Sequence, residues 1–197
     1  LLGQLMAAYE MNAFKDEYQK AVVETAKAYF LRGGSYQYDD TRITTNVDST
    51  DEYRWMIRKA APEDATTKEW SYSNCAAFTY DVYYFGLGFD IVTWNTTMFH
   101  QNSPKSRIAY QFAKTGKETE AEKKAVEETI INTLQPGDII VIKRDNASNS
   151  GHAMLYIGNE TILHSSGSSF NYSTSSETYE PTIRYRQVRD LFREGDT

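Results

Sequence analysis

Read from its amino end, the chain shows helical periodicity first and strand patterning after it. Over residues 16–31 the apolar positions Val22, Val23, Ala26 and Phe30 recur at helical spacing, and Gly33-Gly34 supplies a stop. Residues 74–87 predict a second helix. Cys75, Phe78, Val82 and Phe85 fall on one stripe, Asn74 is placed to cap it, and Gly86 and Gly88 end it. A charged helix is expected over 118–132, with Ala121, Ala125 and Ile130 inward and its Glu and Lys side chains solvated. Beyond the Pro136-Gly137-Asp138 turn come the apolar run Ile139–Ile142, then 152–157, a turn at Gly158-Asn159, and Thr161–His164. A Ser-rich stretch follows over 165–180, and Thr182–Val188 reads as a last strand. Helices ahead of an antiparallel meander predict an α+β domain. Residues 35–73 are polar and irregular, with Tyr36, Tyr38, Trp55 and Trp70 scattered through them. A connection this long in a compact domain is expected to be functional.

Composition narrows the partners. The chain has 197 residues, 21 Lys+Arg against 27 Asp+Glu, and a net charge of −6. A nucleic-acid binder needs a dense basic face, so that class is not expected. No apolar run approaches the roughly 18 residues that a membrane span requires. The first residues lack a basic n-region and a sustained apolar segment, so no signal peptide is expected there. They also lack an initiator Met, and the chain reads as a piece of something longer.

The single Cys excludes an intramolecular disulfide and any Cys-rich zinc site. Cys75 instead falls at the start of a predicted helix, where first-turn N–H groups and the helix dipole favour a thiolate. A thiolate nucleophile needs a base, and the base an orienting partner. The three His are His100, His152 and His164. His100 sits in a loop-like stretch, while His152 begins one predicted strand and His164 ends the next. Direct pairing of His152 with His164 centres the hairpin on Gly158, which requires an odd loop or a bulge. A plain two-residue turn would put the two rings on opposite faces. Cys75, His152 and His164 also make a metal-ligand set on paper, but no supporting spacing accompanies them. No metal and no cofactor are expected.

Four stretches, in this order, resemble the NlpC/P60 cysteine peptidases of bacterial cell walls: Gly33-Gly34-Ser35-Tyr36-Gln37-Tyr38, Asn74-Cys75-Ala76-Ala77-Phe78, Leu134–Ile140, and Gly151–Asn159 with Ile162-Leu163-His164. The resemblance implies a papain-like α+β core in an extracytoplasmic protein, secreted or wall-associated. It implies Cys75 as nucleophile, His152 as base and His164 as orienter. Tyr36, Asn74, Ala76 and Gly151 would bind substrate, a peptidoglycan stem peptide cut between D-glutamate and the diamino acid. Residues 1–15 are expected to form a helical extension, and 16–197 the catalytic domain, with insertions near 40–70 and 98–133. Where family members have Asp-Cys-Ser-Gly, this chain has Asn74-Cys75-Ala76-Ala77, so no carboxylate stands there to pair with a substrate ammonium. A non-hydrolytic wall-binding module, favoured by the 15 Tyr, and an amidase or acyltransferase on another substrate stay open.

Overall fold

The computed structural model describes residues 17–31, 36–38, 71–88, 110–113, 116–143, 151–166 and 183–193. Helix α1 spans Glu17–Leu31, and strand β1, Tyr36–Tyr38, follows it. Strand β2, Ser71–Ser73, leads through Asn74 into helix α2, Cys75–Leu87. Helix α3 spans Glu120–Thr133. Strands β3 (Ile139–Lys143), β4 (Gly151–Gly158), β5 (Thr161–Ser165) and β6 (Ile183–Gln187) come next, and a short helix α4, Asp190–Arg193, comes last. The expected N-terminal extension over 1–15, His100, the expected insertion near 40–70 and the first part of that near 98–133 lie outside the described residues.

Strands β3 to β6 form one antiparallel sheet in sequence order, so every connection joins neighbours. The α+β expectation holds. Strand alternation divides the core into two layers. Leu155, Ile157, Leu163 and Ile183 face Val22, Val23, Ala26 and Tyr29 of α1 and Phe78 and Val82 of α2. Met154, Tyr156 and Ile162 face the other way, toward Val188 and Leu191, with Ile131 and Leu134 packed alongside. With both faces covered, β4 is buried continuously from Ala153 to Gly158.

Helix α2 is the central helix. Every residue from Cys75 to Val82 is buried, so its first two turns are embedded rather than amphipathic. Its start follows the expected chemistry: Asn74 Oδ1 accepts from Ala77 N–H at 2.7 Å. Its end falls at Leu87 with Gly88 as the cap, as expected, but Gly86 lies inside the helix rather than ending it. Gly86 serves close packing. A Cβ there would come within 2.8 Å of Thr25 Oγ1 on α1.

Helix α3 begins later than its charge pattern suggests, at a capping box between Thr119 and Glu122. Ala121 and Ala125 are exposed, and the helix meets the outer core through Ile131. Two alanines offer too little apolar area to hold a helix face down. Nor are all its acids solvated. Arg189 bridges Glu127 and Glu128 of α3, each at 2.9 Å, to Glu160 in the β4–β5 turn.

Polar residues that no local pattern marks as strands also pair. β1 lies parallel to β2, with Tyr36 beside Ser71 and Tyr38 beside Ser73. Parallel pairing is non-local, so it leaves no short-range signature in the sequence.

Candidate functional site

The β4–β5 hairpin decides whether the two histidines meet. Its turn is a tight two-residue one, Asn159-Glu160, both with positive φ. Gly158 pairs with Thr161, and that register, continued down the strands, would send His152 and His164 to opposite faces. A bulge at Ile157 intervenes. Beyond it Tyr156 pairs with Ile162 and Leu155 with Leu163, a register one residue displaced. The displacement restores matching faces. The expected direct pairing of His152 with His164 does not occur, because this register sets them diagonally, two residues apart. Diagonal neighbours are within reach of ring side chains. His152 Nε2 and His164 Nδ1 stand 2.7 Å apart, with the rings edge-to-face.

The strained turn is held by its surroundings. Glu160, at φ 56°, donates its N–H to Tyr156 Oη at 3.2 Å and accepts from Val188 N–H at 2.7 Å. Arg189 grips its carboxylate with Nε and Nη2 at 2.7 and 2.9 Å. A non-glycine residue in the left-handed region costs on the order of 1 kcal/mol, so it needs such contacts.

Burial sets the charge on His164. The ring is 6% exposed, and its pKa is pushed down from 6.5 to about 3. Desolvation is the main cause, with His152, Arg186 and Arg184 adding to it through their charge. His164 is therefore neutral at physiological pH and keeps one nitrogen lone pair. When Nδ1 uses that lone pair to accept from His152, the proton of His164 sits on Nε2.

Cys75 is the first residue of α2 and is also 6% exposed. Asn74 and Ala76 on either side are buried. A helix does not use the N–H groups of its first turn internally. The Asn74 side chain takes that of Ala77. Gly151 opens β4, opposite Lys143. Tyr36 belongs to β1, whose partner strand runs directly into Asn74 and Cys75.

The far end of α2 is anchored. Pro136-Gly137 makes a turn in which Gly137 takes φ 97°, a conformation glycine accepts without strain. Asp138 holds the turn, accepting from Gln135 N–H at 2.8 Å through its carboxylate. Gly137 N–H donates to the Tyr156 carbonyl at 2.8 Å, and the Gly137 carbonyl accepts from the Tyr83 hydroxyl. Burial, with the charge of Asp138, pushes the Tyr83 hydroxyl up to about 12, so it stays a donor. These bonds tie the second half of α2 to β4 at Tyr156.

The family model for NlpC/P60 matches residues 51–189, more than two thirds of the chain. The chain belongs to the NlpC/P60 family. The matched span contains α2 and the four-stranded sheet, in the papain-like arrangement of helices packed on an antiparallel sheet. NlpC/P60 proteins are cysteine hydrolases that act on the cell wall. The Gly33–Tyr38 stretch precedes the matched residues. A search of the curated proteins finds no match. Among the described residues no cluster of three or more His, Cys, Asp or Glu is arranged to hold a metal ion, and no helix is long and apolar enough to cross a membrane.

Sequence reasoning asks for an odd loop or a bulge in this hairpin, and the structure has the bulge, but its position at Ile157 carries no sequence signal. Asp81 on α2 escaped sequence reasoning: it is buried, and its Oδ1 has no hydrogen-bond partner among the described residues. Desolvation raises its pKa well above the usual carboxylate range. The spacing from Cys75 to Asp81 gave no hint of this, because burial all round a helix depends on what packs against it.

Proposed function

We propose that this protein is a cysteine peptidase that hydrolyses amide bonds in peptidoglycan stem peptides, of the D-glutamyl–diamino acid endopeptidase type. Cys75 is the nucleophile, His152 the base and His164 its orienter. The observation that carries the reading is the His152–His164 hydrogen bond on the sheet against which the Cys75 helix packs.

Chain direction supports bringing Cys75 to that pair. Tyr83 ties α2 to the Tyr156 end of β4 through Gly137. From Tyr83 back to Cys75 the helix rises roughly 12 Å at 1.5 Å per residue. From Tyr156 back to His152 the strand runs about 13 Å. With α2 running in the same direction as β4, both residues arrive at the same end of the sheet. Alternation sets the two rings on the Met154 and Ile162 face, so the helix start meets His152 around the end of the sheet. Ala153, small and fully buried, leaves room for that approach.

The steps follow from the groups present. The Cys75 thiolate attacks the scissile carbonyl, and the oxyanion is received by N–H groups at the start of α2. His152 donates a proton from Nδ1 to the leaving amine, its Nε2 being engaged with His164. Water, deprotonated by His152, then hydrolyses the thioester. Neutral His164 accepts from Nε2–H and holds the ring in place whenever His152 is cationic. Tyr36 and Gly151 flank the substrate, while buried Asn74 and Ala76 form the floor.

Purified peptidoglycan incubated with the protein, followed by mass spectrometry of the products, tests this. Cleavage at the D-glutamyl bond that disappears in Cys75→Ala and in His152→Ala supports the reading. Undiminished release by Cys75→Ala would sink it. Binding of muropeptides with no turnover would point to a wall-binding module, and products transferred to an amine to an acyltransferase.

A further inference from the structure

The last residue of β5 turns a hydroxyl toward the helices. Ser165 pairs directly with Ile183, which packs among the α1 and α2 side chains of the inner core, so the two share that face. His164, the residue before it, takes the opposite face. Ser165 is fully buried, and its Oγ has no hydrogen-bond partner among the described residues. Its neighbours on the sheet, Ile183 across on β6 and Ala153 on β4, have no polar side-chain atom to offer it. Leaving a buried hydroxyl unused costs stability, and most buried polar groups avoid it.

The position along the sheet says what the hydroxyl can serve. Carried two residues on, the register of Leu155 with Leu163 sets Ser165 level with Ala153. From Ala153 to Tyr156 the strand runs about 10 Å. Tyr156 is tied to Tyr83 through Gly137, and about 10 Å back along α2 from Tyr83 reaches Ala76 at 1.5 Å per residue. Ser165 therefore lies beneath the first turn of α2, at the level of Cys75. Cys75 is the group there with a charge to settle. Its thiol is buried, and burial opposes ionisation. The helix start works the other way, and a hydroxyl donor added to it favours the thiolate further. A neutral thiol is only a weak acceptor, which accounts for an Oγ left unused while the sulfur keeps its proton.

We propose that Ser165 is a reserved donor for Cys75: its hydroxyl donates to the thiolate formed at the start of α2 and so helps keep the sulfur ionised. This deepens the peptidase reading and rests on it for the use made of the thiolate, though not for the ionisation itself.

The test is a titration of Cys75 in the wild type, Ser165→Ala and Ser165→Thr. The ultraviolet absorbance of the thiolate is followed against pH, and the same protein carrying Cys75→Ala is subtracted in each case to remove the tyrosines. We expect the midpoint to rise by about one pH unit in Ser165→Ala, the size of one hydrogen bond to a charged group. Ser165→Thr keeps the hydroxyl and should bring the midpoint back toward the wild type. Urea unfolding below these midpoints, where the thiol carries its proton, should find Ser165→Ala at least as stable as the wild type, because the hydroxyl it lacks had no partner. An unmoved midpoint in Ser165→Ala, or a Thr variant that titrates like the Ala one, would overturn the proposal. So would a lower urea midpoint for Ser165→Ala, since the hydroxyl would then already be serving the fold. The titration needs no turnover. A wild type that cleaves no stem peptide defeats the peptidase reading, and the midpoints still decide the role of Ser165.

Discussion

The neutral state of His164 has a measurable effect on stability. Its pKa is about 3 in the folded protein, against 6.5 for an unperturbed imidazole. Below pH 6.5 the unfolded chain takes up a proton that the folded protein refuses, so stability falls as pH falls, until the folded value is reached. At pH 5 the unfolded imidazole lies about 1.5 pH units below its own midpoint. At about 1.36 kcal/mol per unit this amounts to roughly 2 kcal/mol lost between pH 7 and pH 5. Any folded value below about 4 gives nearly the same figure at pH 5, because the folded ring is then still neutral. With His164 only 6% exposed, solvent screening takes little from it.

The perturbation is His164→Asn, and the assay is urea unfolding of both proteins at pH 7 and pH 5. His164→Asn is less stable than the wild type at pH 7, where it loses a buried ring and its hydrogen bond. The gap should narrow by about 2 kcal/mol at pH 5, because only the wild type carries the proton penalty. Taking the difference between the two proteins cancels titrating groups that do not interact with His164, and making the same comparison in a His152→Ala background removes the histidine that does. A gap that stays constant within about 0.5 kcal/mol would show that His164 is not held neutral. The proposed acceptor role toward His152 would then fall with it, since a protonated imidazole has no lone pair to offer.

Asp81 acts in the opposite sense. Its folded pKa is raised, so its contribution to stability is present at low pH and is lost as pH rises past the usual carboxylate range. Asp81→Asn should remove that loss, and urea unfolding from pH 4 to pH 8 should show the variant overtaking the wild type at the alkaline end. Asn74→Ala deletes the 2.7 Å cap on Ala77 N–H and should cost about 1 kcal/mol in the same assay. If the cap also steadies the start of α2, iodoacetamide should label Cys75 at an altered rate in that variant.

Much of the fold is legible in local pattern. The Asn74 cap, the stripe of α1 and the apolar runs of β3, β4 and β5 are short-range features, and the structure contains each of them. The three chemical candidates are legible too, because a lone Cys at a helix start and two His at strand ends are scarce residues in telling places. Local pattern also misleads. Gly86 reads as a stop but lies within α2, because Thr25 on a different helix needs the space. Ala121 and Ala125 read as an inner face but stay exposed, since nothing in a helical period says how far a neighbouring sheet extends.

The residue types, the order of elements and the turn residues between them follow from the sequence alone, because each rests on interactions spanning a few neighbours. Whether His152 meets His164 does not. A two-residue turn excludes the contact, and a single bulged residue at Ile157 restores it. The same holds for the burial that keeps His164 neutral, the isolation of Asp81, and the placing of Arg184 beside the histidine pair. Each depends on which segments pack together, and that is decided by contacts between residues far apart in the chain.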